Sequence, residues 1–247
     1  MAGTVATEVS FMGSVGARRN RVSRSYGKQA GFVKRIALAF ALLLGGGGMA
    51  GPALAADRPV KIVVLGDSLV AGFNLPGSDA FPAQLERAVR AKGRAVEIAN
   101  AGVSGDTTSG GLARLDWSVP DGTDAVIITL GANDMLRGVD PNVPREALTQ
   151  IVSRLKARNI AVLLTGMLAA PNLGPDYGRA FNAIYPEIAA AQGVLLYPFF
   201  LDGIAGERTL NQRDGMHPTA AGIAAVVARI MPKVEELLEL VRTKRGS

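Results

Sequence analysis

Short apolar runs alternate with segments of helical periodicity along most of the chain, and this alternation restricts the fold more than any other feature. Strands are predicted at 60–65, 95–99, 124–130, 160–165 and 194–197. Helices are predicted at 78–92, 110–117, 144–158 and 177–192, with a last helix after residue 218. Such an order favours a parallel sheet covered on both faces, with right-handed crossovers. The loops that follow the strands then meet at one edge of the sheet, where open α/β proteins bind their ligands.

The positive charge of the chain lies mainly in its amino-terminal segment. Residues 1–55 hold seven of the 27 Lys and Arg residues and one of the 21 Asp and Glu residues, which leaves 20 of each sign for the remainder. The remainder is therefore close to neutral and has no basic stripe with interleaved aromatic residues. This pattern argues against a nucleic-acid partner.

The segment 1–55 also has the anatomy of a secretory leader. Basic residues precede the apolar run 36–44, and the small residues of 53–55 follow it. The apolar run has nine residues, whereas a membrane-spanning helix needs roughly 20. We therefore expect a disordered leader that ends in a signal peptide at about 33–55. The mature protein is expected to be periplasmic or secreted, without a stable membrane span, and to form a single domain over 56–247.

Residues suited to acyl transfer follow the predicted strands. Ser68 comes at a glycine-bearing turn directly after the first strand, where its hydroxyl is well placed as a nucleophile. His217 is the one histidine of the chain, and Asp214 stands three residues before it. At this spacing a single turn can direct the carboxylate to one ring nitrogen. The other ring nitrogen is then free to accept the serine proton.

Acyl transfer also requires hydrogen-bond donors for the oxyanion. The backbone N–H groups of Ser68 and Gly105 and the side-chain amide of Asn133 can supply three donors at strand ends. Glycine suits this use because it lets the backbone approach a substrate closely. A purely structural interpretation is also open at this point, since Gly-Asp-Ser and Asn-Asp sequences are common in turns.

Four blocks of the sequence together resemble the SGNH branch of the GDSL hydrolases. They are residues 66–69 (GDSL), 100–105 (NAGVSG), 131–134 (GAND) and 214–218 (DGMHP). A narrower similarity, to bacterial periplasmic arylesterases and to the acyl-CoA thioesterase I/lysophospholipase L1 group, is carried by residues 104–107, 111–115 and 133–138. The resemblance extends from about residue 60 to the last predicted helix.

This resemblance implies a flavodoxin-like three-layer α/β/α fold with a five-stranded parallel sheet of order 2-1-3-4-5. It also implies that Ser68 is the nucleophile, His217 the base and Asp214 the residue that orients the base. The oxyanion hole would comprise Ser68, Gly105 and Asn133. No metal and no cofactor take part in the implied reaction.

The resulting hypothesis is an exported serine esterase or thioesterase that acts through an acyl-enzyme. Its partners would be small acyl substrates, such as aryl esters, acyl-CoA thioesters and lysophospholipids. Apolar residues on the site loops favour an acyl chain as the bound group: Leu75, Met135, Leu136, Leu168, Tyr177 and Met216.

Three alternatives remain at this stage. A carbohydrate O-acetylesterase of the same superfamily would require stacked aromatic residues, and Trp117 is the one tryptophan of the chain. A metal-dependent phosphoesterase would use Asp67, Asp214 and His217, but one histidine and scattered acids make a poor transition-metal set. The third alternative is a ligand-binding protein without catalytic activity.

Overall fold

The computed structural model describes residues 58–246. The predicted leader over 1–55 lies outside these residues, so the leader and its cleavage stay predictions. None of the helices between residues 58 and 246 is both long and apolar enough to cross a membrane.

A five-stranded parallel sheet forms the centre of the described chain. Its strands are β1 (Val60–Gly66), β2 (Val96–Gly102), β3 (Ala125–Thr129), β4 (Ala161–Thr165) and β5 (Leu195–Tyr197). Their order is β2-β1-β3-β4-β5, which confirms the predicted topology. Every residue of β3 and β4 is buried, as expected for strands covered by helices on both faces.

Helices cover the two faces of the sheet in separate groups. The α-helices are α1 (Ser68–Ala71), α2 (Phe81–Ala91), α3 (Thr108–Ala113), α4 (Leu115–Ser118), α5 (Ala132–Leu136), α6 (Asn142–Ala157), α7 (Pro175–Asn182), α8 (Ile184–Gln192) and α9 (Ala220–Gly246). The helix α2 packs against α9, whereas α6 packs against α3 and α8. Right-handed crossovers place these two groups on opposite faces, which completes the predicted three-layer arrangement.

Apart from small shifts at the ends of other elements, three predicted elements differ from the observed ones. The strand β2 continues to Gly102 rather than ending at residue 99, because residues 100–102 stay in register with the end of β1. The predicted helix 110–117 divides into α3 and α4 at Arg114, whose side chain reaches the ends of β1 and β2. The predicted helix 177–192 divides into α7 and α8, because Pro186 has no N–H to donate to the carbonyl four residues earlier.

The end of β1 sets the position of Ser68. A Cβ atom on Gly66 would lie 2.7 Å from the carbonyl oxygen of Thr129 in β3, so only glycine lets the two strands end this close together. The chain then turns directly into α1, where the carboxylate of Asp67 accepts a hydrogen bond from the Leu69 N–H at 3.0 Å. Ser68 is the first residue of α1. It therefore lies beyond the carboxyl end of β1, where the strand order reverses, the usual ligand position in such sheets.

Candidate active site

Ser68, His217 and Asp214 form one line of hydrogen bonds at the carboxyl edge of the sheet. The hydroxyl oxygen of Ser68 lies 2.9 Å from Nε2 of His217. Nδ1 of His217 lies 2.7 Å from Oδ2 of Asp214. A carboxylate on Nδ1 requires a proton there, which leaves the Nε2 lone pair directed at the serine hydroxyl. Ser68 and His217 are 149 positions apart in the sequence, and the fold brings them together because α1 and the loop before α9 meet at the same edge of the sheet.

The loop that carries Asp214 and His217 holds the carboxylate in a fixed orientation. Oδ1 of Asp214 accepts hydrogen bonds from the backbone N–H groups of His217 at 3.0 Å and Met216 at 2.9 Å. These two bonds, together with the bond from the His217 ring, lower the pKa of the Asp214 carboxyl to about 2. The Asp214 carboxylate is therefore ionised at neutral pH.

Phe73 is a neighbour of the histidine that the sequence did not single out. Its ring centroid lies 4.4 Å from that of His217, with the planes inclined by 31°. Its backbone carbonyl accepts a hydrogen bond from Nε2 of Gln212 at 2.8 Å, which ties the chain after α1 to the loop of His217. The one available signal was an aromatic residue five positions after Ser68.

Ser68 and Gly105 line the same cavity, and within residues 58–246 the structure shows no acceptor for their backbone N–H groups. Gly105 has φ +80°, a backbone conformation that favours glycine, and no backbone atom would obstruct a Cβ there. The glycine is thus required by the turn rather than by crowding.

The side-chain amide of Asn133 is held from two sides. Nδ2 donates to the carbonyl oxygen of Asp106 at 2.9 Å and to Oδ2 of Asp67 at 3.3 Å. Asp67 is 0% exposed, and this burial raises the pKa of its carboxyl to about 6. Because Asp67 also caps α1, one buried carboxyl connects the serine turn with Asn133. The sequence analysis considered Asp67 only as a possible metal ligand and did not predict its hydrogen bond with Asn133.

Arg114 fastens the loop of Gly105 to the ends of two strands. Its guanidinium donates to Oδ2 of Asp106 at 2.7 Å, to the carbonyl oxygen of Gly66 at 2.8 Å and to that of Ala101 at 2.9 Å. The residue is only 8% exposed. Arginine is suited to this position because its planar group can donate in several directions at once. The sequence placed Arg114 in a segment of resemblance but predicted no role for it.

Ser68 and His217 open into a cavity of about 500 Å³. Of the apolar residues expected to bind substrate, Met135, Leu136 and Met216 line this cavity. The lining includes further apolar residues that the sequence did not indicate: Leu69, Phe73, Ala132, Ala170, Leu201 and Ala205. The cavity therefore offers a mostly apolar wall directly beside the serine.

Three expected substrate-binding residues do not line this cavity. Leu75 is partly buried and packs against the core. Tyr177 stacks on Phe181 with ring centroids 5.8 Å apart, so its ring belongs to the packing of α7. Leu168 lies on the loop after β4 and is 45% exposed. The sequence indicated these three residues as apolar residues on site loops, but side-chain direction depends on packing that the sequence does not show.

Metal-binding side chains do not converge in the described chain. Between residues 58 and 246, no group of three or more His, Asp or Glu side chains is arranged to hold a metal ion. Asp67, which the phosphoesterase alternative requires, instead bonds to Leu69 and Asn133. Both carboxylate oxygens of Asp67 therefore already accept hydrogen bonds from protein groups.

A parallel α/β sheet with a serine, a histidine and a carboxylate in hydrogen-bond contact at its carboxyl edge is the arrangement of a hydrolytic enzyme. Comparison with known proteins identifies the family. The chain matches the GDSL-like lipase/acylhydrolase family over residues 64–225 and belongs to that family.

Relatives at moderate identity agree with this assignment. Esterase TesA of Pseudomonas aeruginosa is 36% identical over 178 residues, which cover 72% of this chain and 89% of the relative. Arylesterase of Vibrio mimicus is 39% identical over 66% of this chain and 82% of its own length. Thioesterase 1/protease 1/lysophospholipase L1 of Escherichia coli is 39% identical over 67% and 77%. The chain is thus an SGNH hydrolase, and the relatives it matches are named as an esterase, an arylesterase and a thioesterase/lysophospholipase.

Solved structures support the same fold. The crystal structure of TesA matches with a TM-score of 0.69 at 35% identity, over 72% of this chain and 99% of that one. AlinE4, an SGNH-hydrolase family esterase, matches with a TM-score of 0.62 at 42% identity, over 73% and 97%.

Proposed function

We propose that this protein hydrolyses carboxylic esters and thioesters of medium or long acyl chains through a covalent acyl-enzyme on Ser68. The observation that carries the proposal is the hydrogen-bonded line from Ser68 through His217 to Asp214 at the wall of an apolar cavity. The names of the relatives, which include esterase, arylesterase and thioesterase, support the same reaction class.

In the proposed reaction, Nε2 of His217 takes the proton of the Ser68 hydroxyl as its oxygen attacks the substrate carbonyl. Asp214 keeps Nδ1 protonated and stabilises the imidazolium that forms. The imidazolium then donates its proton to the departing alcohol or thiol, leaving an acyl ester on Ser68. A water molecule, deprotonated by His217, attacks this ester and releases the carboxylic acid.

The oxyanion of the tetrahedral intermediate would be bound by the N–H groups of Ser68 and Gly105 and by the amide of Asn133. Both N–H bonds of the Asn133 amide already have acceptors, at 2.9 Å on Asp106 and at 3.3 Å on Asp67. The oxyanion must therefore replace one of these contacts. The contact with Asp67 is the longer and weaker of the two, so we propose that it is the one exchanged in the reaction.

The acyl group is proposed to lie against Leu136, which lines the cavity and is 55% exposed. Each buried methylene contributes up to about 0.8 kcal/mol, so four added carbons are expected to raise kcat/KM by up to a few hundred-fold. Leu136→Ala should reduce this gain for octanoyl and palmitoyl esters more than for acetyl and butyryl esters. Steady-state kinetics with one leaving group across the four chains measures the effect.

Leu240→Ala is the matched control for this experiment. Leu240 is also a half-exposed leucine, but it lies near the carboxyl end of α9 and does not line the cavity. An equal loss for all four chains in Leu136→Ala would contradict the acyl-binding assignment. Acetyl as the best substrate, with acetylated sugars hydrolysed faster than aryl acetates, would instead support the carbohydrate O-acetylesterase alternative.

We also propose that the protein is exported and that its mature form begins at residue 56 or 57. The support is the signal-peptide pattern of residues 33–55. Amino-terminal sequencing of protein isolated from its native host should recover a chain that begins at Ala56 or Asp57, in the fraction outside the cytoplasm. Recovery of peptides from residues 1–50 in the mature protein would contradict export by cleavage.

A further inference from the structure

A second cavity adjoins the one that contains Ser68. It has a volume of about 320 Å³, and its wall includes Arg208, Arg213 and Glu207. Three residues line both cavities: Gly206, Asn211 and Gly215. The apolar cavity at Ser68 and this second cavity are therefore direct neighbours on the protein surface.

The two arginines are not engaged by other groups. Within residues 58–246, the guanidinium groups of Arg208 and Arg213 form no hydrogen bond and no ion pair. By contrast, nearby Arg229 pairs with Asp202. Glu207 is the one carboxylate in the lining, so two positive charges face one negative charge. Arginine that is left unpaired in a concave surface is well suited to bind a phosphoryl group.

The backbone that carries these arginines is held firmly. Asn211 is 8% exposed, and its side-chain amide donates to the carbonyl oxygens of Ile204 at 2.6 Å and Glu207 at 2.9 Å. The N–H of Gly215 donates to the carbonyl oxygen of Gln212 at 2.9 Å, and the N–H of Gln212 to that of His217 at 2.7 Å. The segment is thus fixed to the loop of the catalytic histidine.

The position of this cavity indicates which part of a substrate would reach it. In the proposed reaction His217 must donate its proton to the leaving oxygen or sulfur, so the leaving group lies on the side of the His217 loop. The cavity is bordered by Gln212, Arg213 and Gly215 of that same loop. The acyl chain, in contrast, is assigned to the wall of Met135 and Leu136 on α5.

We propose that the second cavity binds a phosphoryl group on the leaving group of the substrate, through Arg208 and Arg213. This inference rests on the proposed function, because it assigns the other half of the same substrate. A phosphoryl group remote from the scissile bond occurs in thioesters of coenzyme A and in lysophospholipids. In either kind of substrate, the phosphoryl group would accept hydrogen bonds from the guanidinium groups of Arg208 and Arg213.

Matched substrate pairs test the proposal. One pair is S-octanoyl-4′-phosphopantetheine, the phosphorylated arm of octanoyl-CoA, and S-octanoyl pantetheine, which share the thioester and differ only in the phosphate. The other is a lysophosphatidic acid and the monoacylglycerol of the same chain, which differ only in the phosphate. We expect the ratio of kcat/KM for the phosphorylated over the neutral member to fall about tenfold in Arg208→Gln and in Arg213→Gln. Arg208→Lys should retain part of the ratio, and Glu207→Gln should increase it.

Arg154→Gln provides the control for the change in net charge. Arg154 is an exposed arginine in the last turn of α6 and lines neither cavity. Its replacement should leave the ratio unchanged. A tenfold effect with only one of the two pairs would identify which source of the phosphoryl group the cavity accepts, and it would support the proposal. A further control substrate carries its negative charge on the acyl chain: a dicarboxylic acid esterified at one end to a neutral leaving group. Its kcat/KM should be the same in the wild type and in Arg208→Gln.

Equal ratios in the wild type and in both glutamine variants would overturn the proposal. A lower kcat/KM of Arg208→Gln for the substrate with the charged acyl chain would also overturn it, because Arg208 would then contact the acyl group. Failure of the proposed function has a different signature, since the neutral thioester would then not be hydrolysed through Ser68. Binding of free coenzyme A, measured by calorimetry on the wild type and Arg208→Gln, tests the cavity without turnover. Tighter binding by the wild type is expected, and equal affinities would count against the cavity.

Discussion

Ser68→Ala is expected to lower kcat by on the order of a million-fold, the loss found when a triad nucleophile is removed from a well-studied protease. Within residues 58–246, the Ser68 hydroxyl forms one hydrogen bond, at 2.9 Å to His217, so its removal should change the thermal stability little. Hydrolysis of an aryl ester and the melting temperature together measure the two effects. A large drop in melting temperature would mean that the loss of activity reflects the fold.

Covalent labelling makes this prediction specific. A fluorophosphonate probe should label the wild type at Ser68 and should not label Ser68→Ala. Ser153→Ala is the matched control, because Ser153 lies exposed on α6, away from the cavity. Labelling that persists in Ser68→Ala would refute the assignment of the nucleophile and, with it, the proposed acyl-enzyme.

Asp214→Asn is expected to lower kcat by about ten-thousand-fold with little change in KM. An asparagine amide can present its NH2 group to Nδ1 of His217, which favours the tautomer with the proton on Nε2. That tautomer cannot accept the serine proton. Steady-state kinetics at pH 7 measures the loss, and Asp121→Asn, a fully exposed carboxylate at the other edge of the sheet, is the control. Full activity of Asp214→Asn or of His217→Ala would contradict the assigned roles.

The pH dependence of stability gives an independent reading of Asp214. Hydrogen bonds from the His217 and Met216 N–H groups lower the pKa of its carboxyl to about 2, below the value of about 3.9 in an unfolded chain. The ionised form therefore stabilises the folded protein above pH 4, and this contribution is lost as the pH falls from 4 to 2. The difference in melting temperature between the wild type and Asp214→Asn should be present at pH 7 and should shrink over that range.

The supporting contacts of the site were much less visible in the sequence than the reacting residues. Arg114 and Asp67 each join segments that are far apart in the chain, and nothing in the residues around them indicates those partners. The unpaired state of Arg208 and Arg213 is likewise a property of the folded surface. In sequence they are two arginines in a polar loop.

The substrate-binding residues illustrate the same limit. The sequence predicted that several apolar residues contact the substrate, among them Leu75, Met135, Leu136, Tyr177 and Met216. In the structure Met135, Leu136 and Met216 line the cavity, whereas Leu75 and Tyr177 pack elsewhere. All of them are apolar residues near site loops. Which way each side chain points depends on the neighbours that surround it after folding.

The sequence alone determined the alternation of strands and helices, the strand order through family resemblance, and the placement of Ser68, Gly105, Asn133 and His217 after strands or before the last helix. These features follow from local patterns, because a buried parallel strand needs a continuous apolar run and a crossover needs an amphipathic helix. Only the tertiary structure decided the 2.9 Å contact of Ser68 with His217, the burial of Asp67 and the existence of two adjoining cavities. Those features depend on distances between segments remote in the chain, and such distances are set by packing across the sheet.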